Sequence, residues 1–245
     1  MRKLIPLLLL SSLFLAQPGR TDELHAIYTD LLQEHVDAEG LVDYQAILDS
    51  PQTLNAYLDR LSGISSEEYE AWNEHQQLAF LLNLYNASTL KLIVAHYPLE
   101  SIKDIGGWFN GPWDQEVVPY LGKIITLNHL EHDIIRKDFL DTPETHFALV
   151  CAAIGCPPLR REAYTAEKLE SQLQDQKEIF LANTERNRKN AKRESLRLSP
   201  IFKWYAEDFE KSHGSVQEYL ATAWPEVEKD WRIRYTFYDW SLNTQ

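Results

Sequence analysis

Apolar residues recur with a helical period along most of the first hundred positions. In the segment 22–36 they lie three or four residues apart, at Leu24, Ile27, Tyr28, Leu31 and Leu32, which is the spacing of one helix face. Residues 44–61 repeat this pattern with an interruption at Pro51. Ser65 followed by Glu68 is typical of a capping box, and it predicts a helical region that ends before Pro98. Within that region, residues 76–97 are apolar enough for a buried central helix.

Beyond residue 100 the pattern predicts shorter elements of both kinds. Residues 116–120 and 123–127 predict a β-hairpin that turns at Leu121 and Gly122. Asn128 predicts the N-cap of a helix that ends near Phe139, with Glu131 completing a capping box. Further helices are predicted at 165–183, 201–211 and 216–224, and further strands at 145–151 and 232–238. This pattern predicts a single, mostly helical α+β domain around a small, largely antiparallel sheet, for which a papain-like architecture is one candidate.

Both cysteines of the chain lie in the segment 146–159, where an apolar run leads into the turn Gly155-Cys156-Pro157-Pro158. A strand at 145–151 would deliver a thiol to a loop at the edge of the sheet, where a nearby imidazole could make Cys156 a nucleophile. Cys151 and Cys156 could instead close a small disulfide, or both could be inert thiols. The spacing leaves these three alternatives open.

Several side chains could complete a catalytic group around Cys156. His132, on the predicted helix before the cysteine segment, or His146, within that segment, would be the general base. Glu131 or Asn86 would orient the imidazole, following the logic of a nucleophile, a base and an orienting group. The alternative for Glu131 is the structural role of a capping residue.

Asn83 and Asn86 lie three residues apart inside the apolar segment 76–97. A buried amide costs roughly 1–3 kcal/mol for each unsatisfied group, so this pair either ties down a neighbouring loop or helps to build a site. The Gly/Trp-rich loop 106–113 could supply aromatic contacts to a ligand. The candidate substrate-binding residues are Asn83, Tyr85, Arg136, Trp108 and Trp113.

Other chemistries lack local support in the sequence. His129 and His132 are one helical turn apart and could share a metal with His146, but the chain has no His-Glu-x-x-His pattern. It also has no Gly-x-Ser-x-Gly elbow, Walker loop, dinucleotide fingerprint or Cys-x-x-Cys pair. We therefore expect no metal and no cofactor.

The N-terminus has the layout of a secretory signal peptide, with Arg2 and Lys3 before an apolar run that ends at Ala16. We expect residues 1–19 to be this signal, residues 20–245 to form the domain, and the protein to be periplasmic or secreted with no integral membrane span after cleavage. The net charge of −13 argues against nucleic acid as a partner. The basic run at 186–193 is predicted to be a solvated surface, as a loop or a helix end, with a phosphate-binding strip as the alternative. The sequence predicts no oligomeric state.

Several short segments, in order, resemble the domain-of-unknown-function 547 family. They are residues 80–87 (FLLNLYNA), 92–98, 101–105, 130–136, 146–159, 163–165, 198–205 and 238–243. The family-like region is thus about 75–245. The resemblance implies a domain found in exported bacterial proteins and in larger eukaryotic chains, with no established reaction. It also implies that the asparagine pair, Glu131, His132, His146 and the Cys-Pro-Pro turn belong to one site.

Two functional hypotheses follow from these residues. The first is a cysteine-dependent hydrolase or acyl transferase that acts on a peptide or amide bond, with Cys156 as nucleophile. The second is a non-enzymatic binding module, in which a Cys151–Cys156 disulfide staples the fold and aromatic residues contact a small molecule, peptide or glycan.

Overall fold

The computed structural model describes residues 18–107 and 110–245. The core of the predicted signal peptide, residues 1–17, and the predicted ligand contact Trp108 lie outside the described residues. The helices are α1 (Pro18–His35), α2 (Tyr44–Asp49), α3 (Gln52–Ser62), α4 (Ser66–Glu70), α5 (Glu74–His96), α6 (Arg136–Asp138), α7 (Thr145–Ala148), α8 (Leu169–Ala182), α9 (Ile201–Trp204), α10 (Ala206–His213) and α11 (Val216–Ala221). The strands are β1 (Glu116–Tyr120), β2 (Lys123–Thr126), β3 (Arg188–Asn190), β4 (Ser195–Leu198) and β5 (Arg232–Tyr235). These elements confirm the predicted mostly helical α+β domain.

Helix α5 lies at the centre of the molecule. It begins at a capping box, in which Asn73 and Gln76 each accept from the other's backbone N–H at 3.0 Å. Its apolar side chains are buried around most of the helix, and α1, α2, α3 and β1 contact it. By length and mean hydropathy (1.4) α5 could cross a membrane, but 89% of that window is buried inside the protein. Burial of this kind is expected of a core helix.

Two small sheets complete the domain. Strands β1 and β2 form the predicted antiparallel hairpin, in which Tyr120 pairs with Lys123. Leu121 and Gly122 make its turn with φ of 47° and 79°, and two positive φ values match the right-handed twist of a hairpin. In the second sheet, β4 pairs antiparallel with β3 and parallel with β5.

The predicted strand at 145–151 is wrong. Residues 145–148 form the short helix α7, and the chain becomes extended only at Leu149, with φ −84° and ψ 122°. The extended part lies against a side chain, because Asn86 accepts from the N–H of Val150 and donates to the C=O of Ala148, both at 2.9 Å. An apolar run cannot reveal whether its backbone partners will come from a strand, a helix or a side chain.

The predicted capping box at Asn128 is also wrong. Asn128 itself has helical φ and ψ of −56° and −45°, and its amide donates to Asp114 Oδ1 at 2.6 Å. The following helix is a π-helix, His129–Ile135, which continues into α6. Glu131 does not cap it, because both carboxylate oxygens accept hydrogen bonds from tyrosine hydroxyls.

Candidate functional site

A cleft of about 370 Å³ opens where four parts of the chain meet. They are the π-helix, the turn at residues 155–158 (the cysteine turn), α9 and residues 236–245 (the C-terminal segment). Its wall combines aromatic rings with ionisable and sulfur-containing side chains, a composition typical of ligand sites. The residues that line it are Tyr85, Trp113, Asn128, Glu131, His132, Arg136, His146, Leu149, Cys151, Cys156, Pro157, Ile201, Trp204, Tyr205, Tyr238 and Trp240. The cleft therefore brings together Cys156, both candidate bases, Glu131 and three of the predicted ligand contacts.

Cys151 and Cys156 are joined by a disulfide, so no cysteine in the described part of the chain is free. The sequence left open a reactive thiol, a disulfide and two inert thiols, and the structure has the disulfide. Cys156 is buried with 2% of its surface exposed, whereas Cys151 is partly exposed. The proposed nucleophile could therefore act only after reduction, and its catalytic role stays a prediction.

The cysteine turn is fixed by side chains from distant parts of the sequence. Tyr238 places its hydroxyl 3.1 Å from each of the two sulfurs. Arg186 donates to the carbonyls of Cys156, at 2.7 Å, and Ile154. Arg186 is partly buried and both of its bonds go to backbone carbonyls, so this guanidinium does not belong to the solvated surface predicted for 186–193, and burial lowers its pKa. Its role is to hold the turn.

His146 forms a buried hydrogen bond with Asp208, with Nε2 2.8 Å from Oδ2. Arg136 binds the same carboxylate with two hydrogen bonds, of 2.7 and 2.9 Å. Burial by itself raises the pKa of Asp208, but the hydrogen bonds and charges of His146 and Arg136 outweigh that effect and hold it well below the usual range. Asp208 is therefore a carboxylate that orients His146.

This pairing determines which nitrogen of His146 is free. Because Nε2 donates its proton to Asp208, the neutral ring keeps its lone pair on Nδ1. Nδ1 is buried and has no hydrogen-bond partner. Tyr205 stacks on the ring, with centroids 3.9 Å apart and planes at 22°, so the imidazole cannot turn freely. The result is an oriented imidazole with an unused basic nitrogen.

In His132 the other ring nitrogen, Nδ1, is the one that has a partner. Its Nδ1 lies 3.1 Å from Arg136 Nη1. A guanidinium can only donate, so Nδ1 accepts and the proton of the neutral ring is on Nε2. His132 therefore offers a hydrogen-bond donor, and of the two predicted bases only His146 keeps a ring lone pair without a hydrogen-bond partner.

Glu131 is buried between two tyrosines. Tyr205 donates to Oε1 at 2.6 Å and Tyr85 donates to Oε2 at 2.9 Å. Burial, followed by the charge of Glu131, raises the pKa of both hydroxyls far above 10, so the tyrosines remain donors. Glu131 thus orients the tyrosine that stacks on His146, and it has no direct bond to either predicted base.

The asparagine pair does not line the cleft. Asn83 exchanges two hydrogen bonds with the backbone of Tyr164, of 2.8 and 2.9 Å, as Asn86 does with Ala148 and Val150. Each amide thus gives a neighbouring loop the pair of backbone hydrogen bonds that an adjacent strand would otherwise provide. This confirms the prediction that the pair ties down neighbouring loops, whereas a catalytic role for Asn86 has no contact in the structure to support it.

Three tryptophans form the aromatic side of the cleft. Trp240 stacks on Trp204 at 5.9 Å and meets Trp113 edge-on at 5.7 Å. Lys103 lies over the Trp240 ring, 3.7 Å from its centroid. Trp204 is 48% exposed, so a ligand that enters the cleft would contact this face.

Metal binding finds no support in the described residues, where no three His, Cys, Asp or Glu side chains are grouped to hold an ion. His132 and His146 are occupied by Arg136 and Asp208, and His129 bonds to Asp133 at the surface. Sequence inspection missed Asp208, Tyr205, Arg186 and Tyr238. Tyr205 and Tyr238 lie in segments that carry the family resemblance, but Asp208 looks like any other acidic residue of an amphipathic helix.

Fold and cleft together define an α+β protein whose polar and aromatic cleft is built around a disulfide. Residues 69–181, somewhat less than half of the chain, match the family described as "Protein of unknown function, DUF547", and this match supports the resemblance to that family. The matched segment contains α5, the π-helix and the cysteine turn, but not Asp208, Tyr205 or Tyr238. Neither the curated proteins nor the solved structures contain a match to the chain.

Proposed function

We propose that the protein is a cysteine-dependent hydrolase or acyl transferase that acts on a peptide or amide bond in its reduced form. One observation carries the proposal: Asp208 holds His146 so that Nδ1 is left without a partner, in the same cleft as Cys156. A base with a fixed tautomer, an orienting carboxylate and a thiol are the three parts that nucleophilic acyl transfer needs.

In the proposed reaction, Nδ1 of His146 takes the proton of the reduced Cys156 thiol, and Asp208 stabilises the resulting imidazolium. The thiolate attacks the acyl carbon, and the C–N bond breaks as His146 returns the proton to the leaving amine. Water or another acceptor then cleaves the thioester. The Nε2–H of His132 is the candidate donor to the oxyanion.

The direct test uses p-nitrophenyl acetate, a simple acyl donor, with protein reduced by dithiothreitol and freed from it. Reduced wild type should release a burst of nitrophenolate equal to its Cys156 content, and Cys156→Ala should abolish the burst. His146→Gln should slow acylation about 100-fold, since a general base contributes roughly 10²–10⁴. The matched variant His129→Gln, at an exposed histidine, should keep the wild-type rate. Equal rates in reduced wild type and Cys156→Ala would overturn the proposal.

The disulfide itself favours a second candidate, a binding module for a peptide or glycan. In oxidised protein Cys151 and Cys156 are a staple, and the rings of Trp113, Trp204 and Trp240 remain available for stacking. Export, which the N-terminal segment leads us to propose, would keep the disulfide oxidised.

Tryptophan fluorescence of the oxidised protein tests this second function. Titration with chito-oligosaccharides and with tripeptides should give saturable quenching for one of the two classes. Trp204→Ala should weaken that binding at least tenfold, whereas Phe237→Ala, at an aromatic residue that is 86% exposed and does not line the cleft, should leave it unchanged. Saturation that is the same in both variants would place the binding elsewhere.

A further inference from the structure

We propose that the Cys151–Cys156 disulfide is a thiol-exchange centre with a fixed polarity, in which an incoming thiolate attacks Cys151 Sγ and Cys156 leaves. The ligand class is a small thiol, or a peptide with an accessible cysteine, that enters the cleft. This exchange does not require the acyl chemistry proposed above, so either activity can fail without the other.

Exposure distinguishes the two sulfurs. Both cysteines line the cleft, but Cys151 is partly exposed and Cys156 is buried. A thiolate must approach the sulfur that it attacks, so access favours Cys151.

Hydrogen bonding distinguishes them in the same direction. The Tyr238 hydroxyl lies 3.1 Å from both sulfurs and can follow whichever becomes negative. Cys156 Sγ accepts a second bond, from the backbone N–H of Cys151 at 3.0 Å. Hydrogen bonds to an ionised acceptor are about twice as strong as those between neutral groups. Cys156 therefore has two donors ready for the charge of a leaving thiolate.

The cationic side chain of Arg186 lies at the same end of the disulfide. Its guanidinium donates to the backbone carbonyl of Cys156 at 2.7 Å and to that of Ile154. A fixed positive charge close to Cys156 favours the thiolate at that position. Arg186 also keeps the turn in place when the S–S bond opens, so that Cys156 remains able to close it again.

The reaction balances as an exchange. The incoming thiolate forms a bond to Cys151 Sγ, the S–S bond breaks, and its electron pair remains on Cys156 Sγ. The products are a mixed disulfide at Cys151 and a thiolate at Cys156. A second thiol that attacks the mixed disulfide leaves the protein reduced and the two small thiols oxidised to their disulfide.

Glutathione is the probe for the test. Oxidised protein is mixed with excess glutathione, quenched within seconds by N-ethylmaleimide and analysed by peptide mass spectrometry. We expect glutathione on Cys151 and maleimide on Cys156, in at least a tenfold excess over the opposite pattern. The same experiment in urea should give roughly equal labelling, since the folded environment sets the polarity. Equal labelling in the folded protein, glutathione on Cys156, or no opening of the disulfide would each overturn the proposal.

A tyrosine variant tests the donor to the leaving sulfur. Tyr238→Phe should slow disulfide opening about tenfold, the size expected for the loss of one hydrogen bond to a charged group. The control Tyr235→Phe changes a tyrosine of β5 that does not line the cleft, and it should open at the wild-type rate. An unchanged rate in Tyr238→Phe would rule out Tyr238 as a donor to the leaving sulfur. The labelling ratio in wild type tests the polarity even if Tyr238→Phe folds poorly.

Discussion

Asn86 shows how a polar residue on an apolar helix can serve the fold. Its amide makes one bond to Ala148 and one to Val150, and it thereby fixes the chain that leads to the cysteines. The sequence indicated that the amide must be satisfied, because an orphan amide in a core is costly. Which groups satisfy it depends on a loop more than sixty residues away, and this could not be predicted.

Replacing Asn86 by Ala should lower the free energy of unfolding by about 2–4 kcal/mol, since it leaves a buried N–H and a buried C=O without partners. Urea denaturation measures the change. Gln174→Ala, at an exposed amide of α8, should change stability by less than about 0.5 kcal/mol. If Asn86→Ala were as stable as this control, the two backbone bonds would contribute nothing to stability.

Asp208 ties stability to pH. Its pKa is lowered in the folded protein because the bonds to His146 and Arg136 outweigh burial. The Asp208 carboxylate therefore binds a proton more readily in the unfolded chain than in the folded protein. The contribution of Asp208 to the free energy of unfolding is complete above the unfolded Asp pKa of about 3.9 and is lost as the pH falls below that value.

Asp208→Asn should consequently destabilise the protein by about 3–5 kcal/mol at pH 7, the range for breaking a buried ion pair. The difference from wild type should narrow as the pH falls from about 5 to about 3. Denaturation curves at several pH values measure it, with Asp30→Asn on the exposed side of α1 as the control. If the difference in stability between Asp208→Asn and wild type stayed constant across this pH range, the charge on Asp208 would not be the cause of the destabilisation.

At the scale of elements, the π-helix His129–Ile135 is the feature that most affects the cleft. Glu131 and His132 of the π-helix lie on the cleft wall together with Arg136, the first residue of α6. π-helical turns occur frequently at functional sites. The periodicity of 128–139 predicted an ordinary α-helix. The wider turn of a π-helix hardly changes the spacing of apolar residues over so short a segment, so the pattern does not distinguish the two.

The cysteine turn depends on a close approach between two segments. A Cβ at Gly155 would lie 2.9 Å from the Asp239 carbonyl oxygen and 2.9 Å from the Tyr238 ring. Both are fixed parts of the structure, so Gly155→Ala must push the C-terminal segment away. We expect a loss of about 1–3 kcal/mol, the usual cost of overpacking, measured by urea denaturation.

Gly63→Ala is the matched control. Its Cβ would lie no closer than 3.4 Å to the Arg60 carbonyl oxygen, and its φ of −77° suits any residue. This variant should be as stable as wild type or slightly more so. If Gly155→Ala behaved in the same way, Gly155 would not be required for the contact with Tyr238.

For the molecule as a whole, the C-terminal segment joins parts that are far apart in sequence. Its backbone forms hydrogen bonds with three distant parts of the chain. Asn243 bonds to Val42 and Leu242 bonds to Glu100. At the cysteine turn, Asp239 and Ser241 accept from the N–H groups of Gly155 and Ile154. It also supplies Tyr238 and Trp240 to the cleft. The site therefore needs residues beyond the segment 69–181 that matches the family.

Deleting residues 236–245 should lower the thermal midpoint by at least about 10 °C, since about 3–5 kcal/mol of lost contacts shifts a domain of this size by that much. Circular dichroism on heating measures the midpoint. Removing Gln245 alone, an exposed residue, should change it by only a few degrees. A midpoint near that of wild type in the longer deletion would show that the segment does not hold the domain together.

Local patterns in the sequence determined the mostly helical α+β class, the central helix α5, the hairpin turn at Leu121 and Gly122, and the segment that carries the cysteines. Those features depend on periodicity, caps and turn residues, which act over a few positions. Only the tertiary structure decided that the cysteines are joined, that Asp208 selects the basic nitrogen of His146, and that Tyr238 reaches both sulfurs. The cysteines are only five residues apart, and the local sequence left their oxidation state open. The other two features depend on contacts between residues 62 and 87 positions apart, whose partners no local pattern can specify.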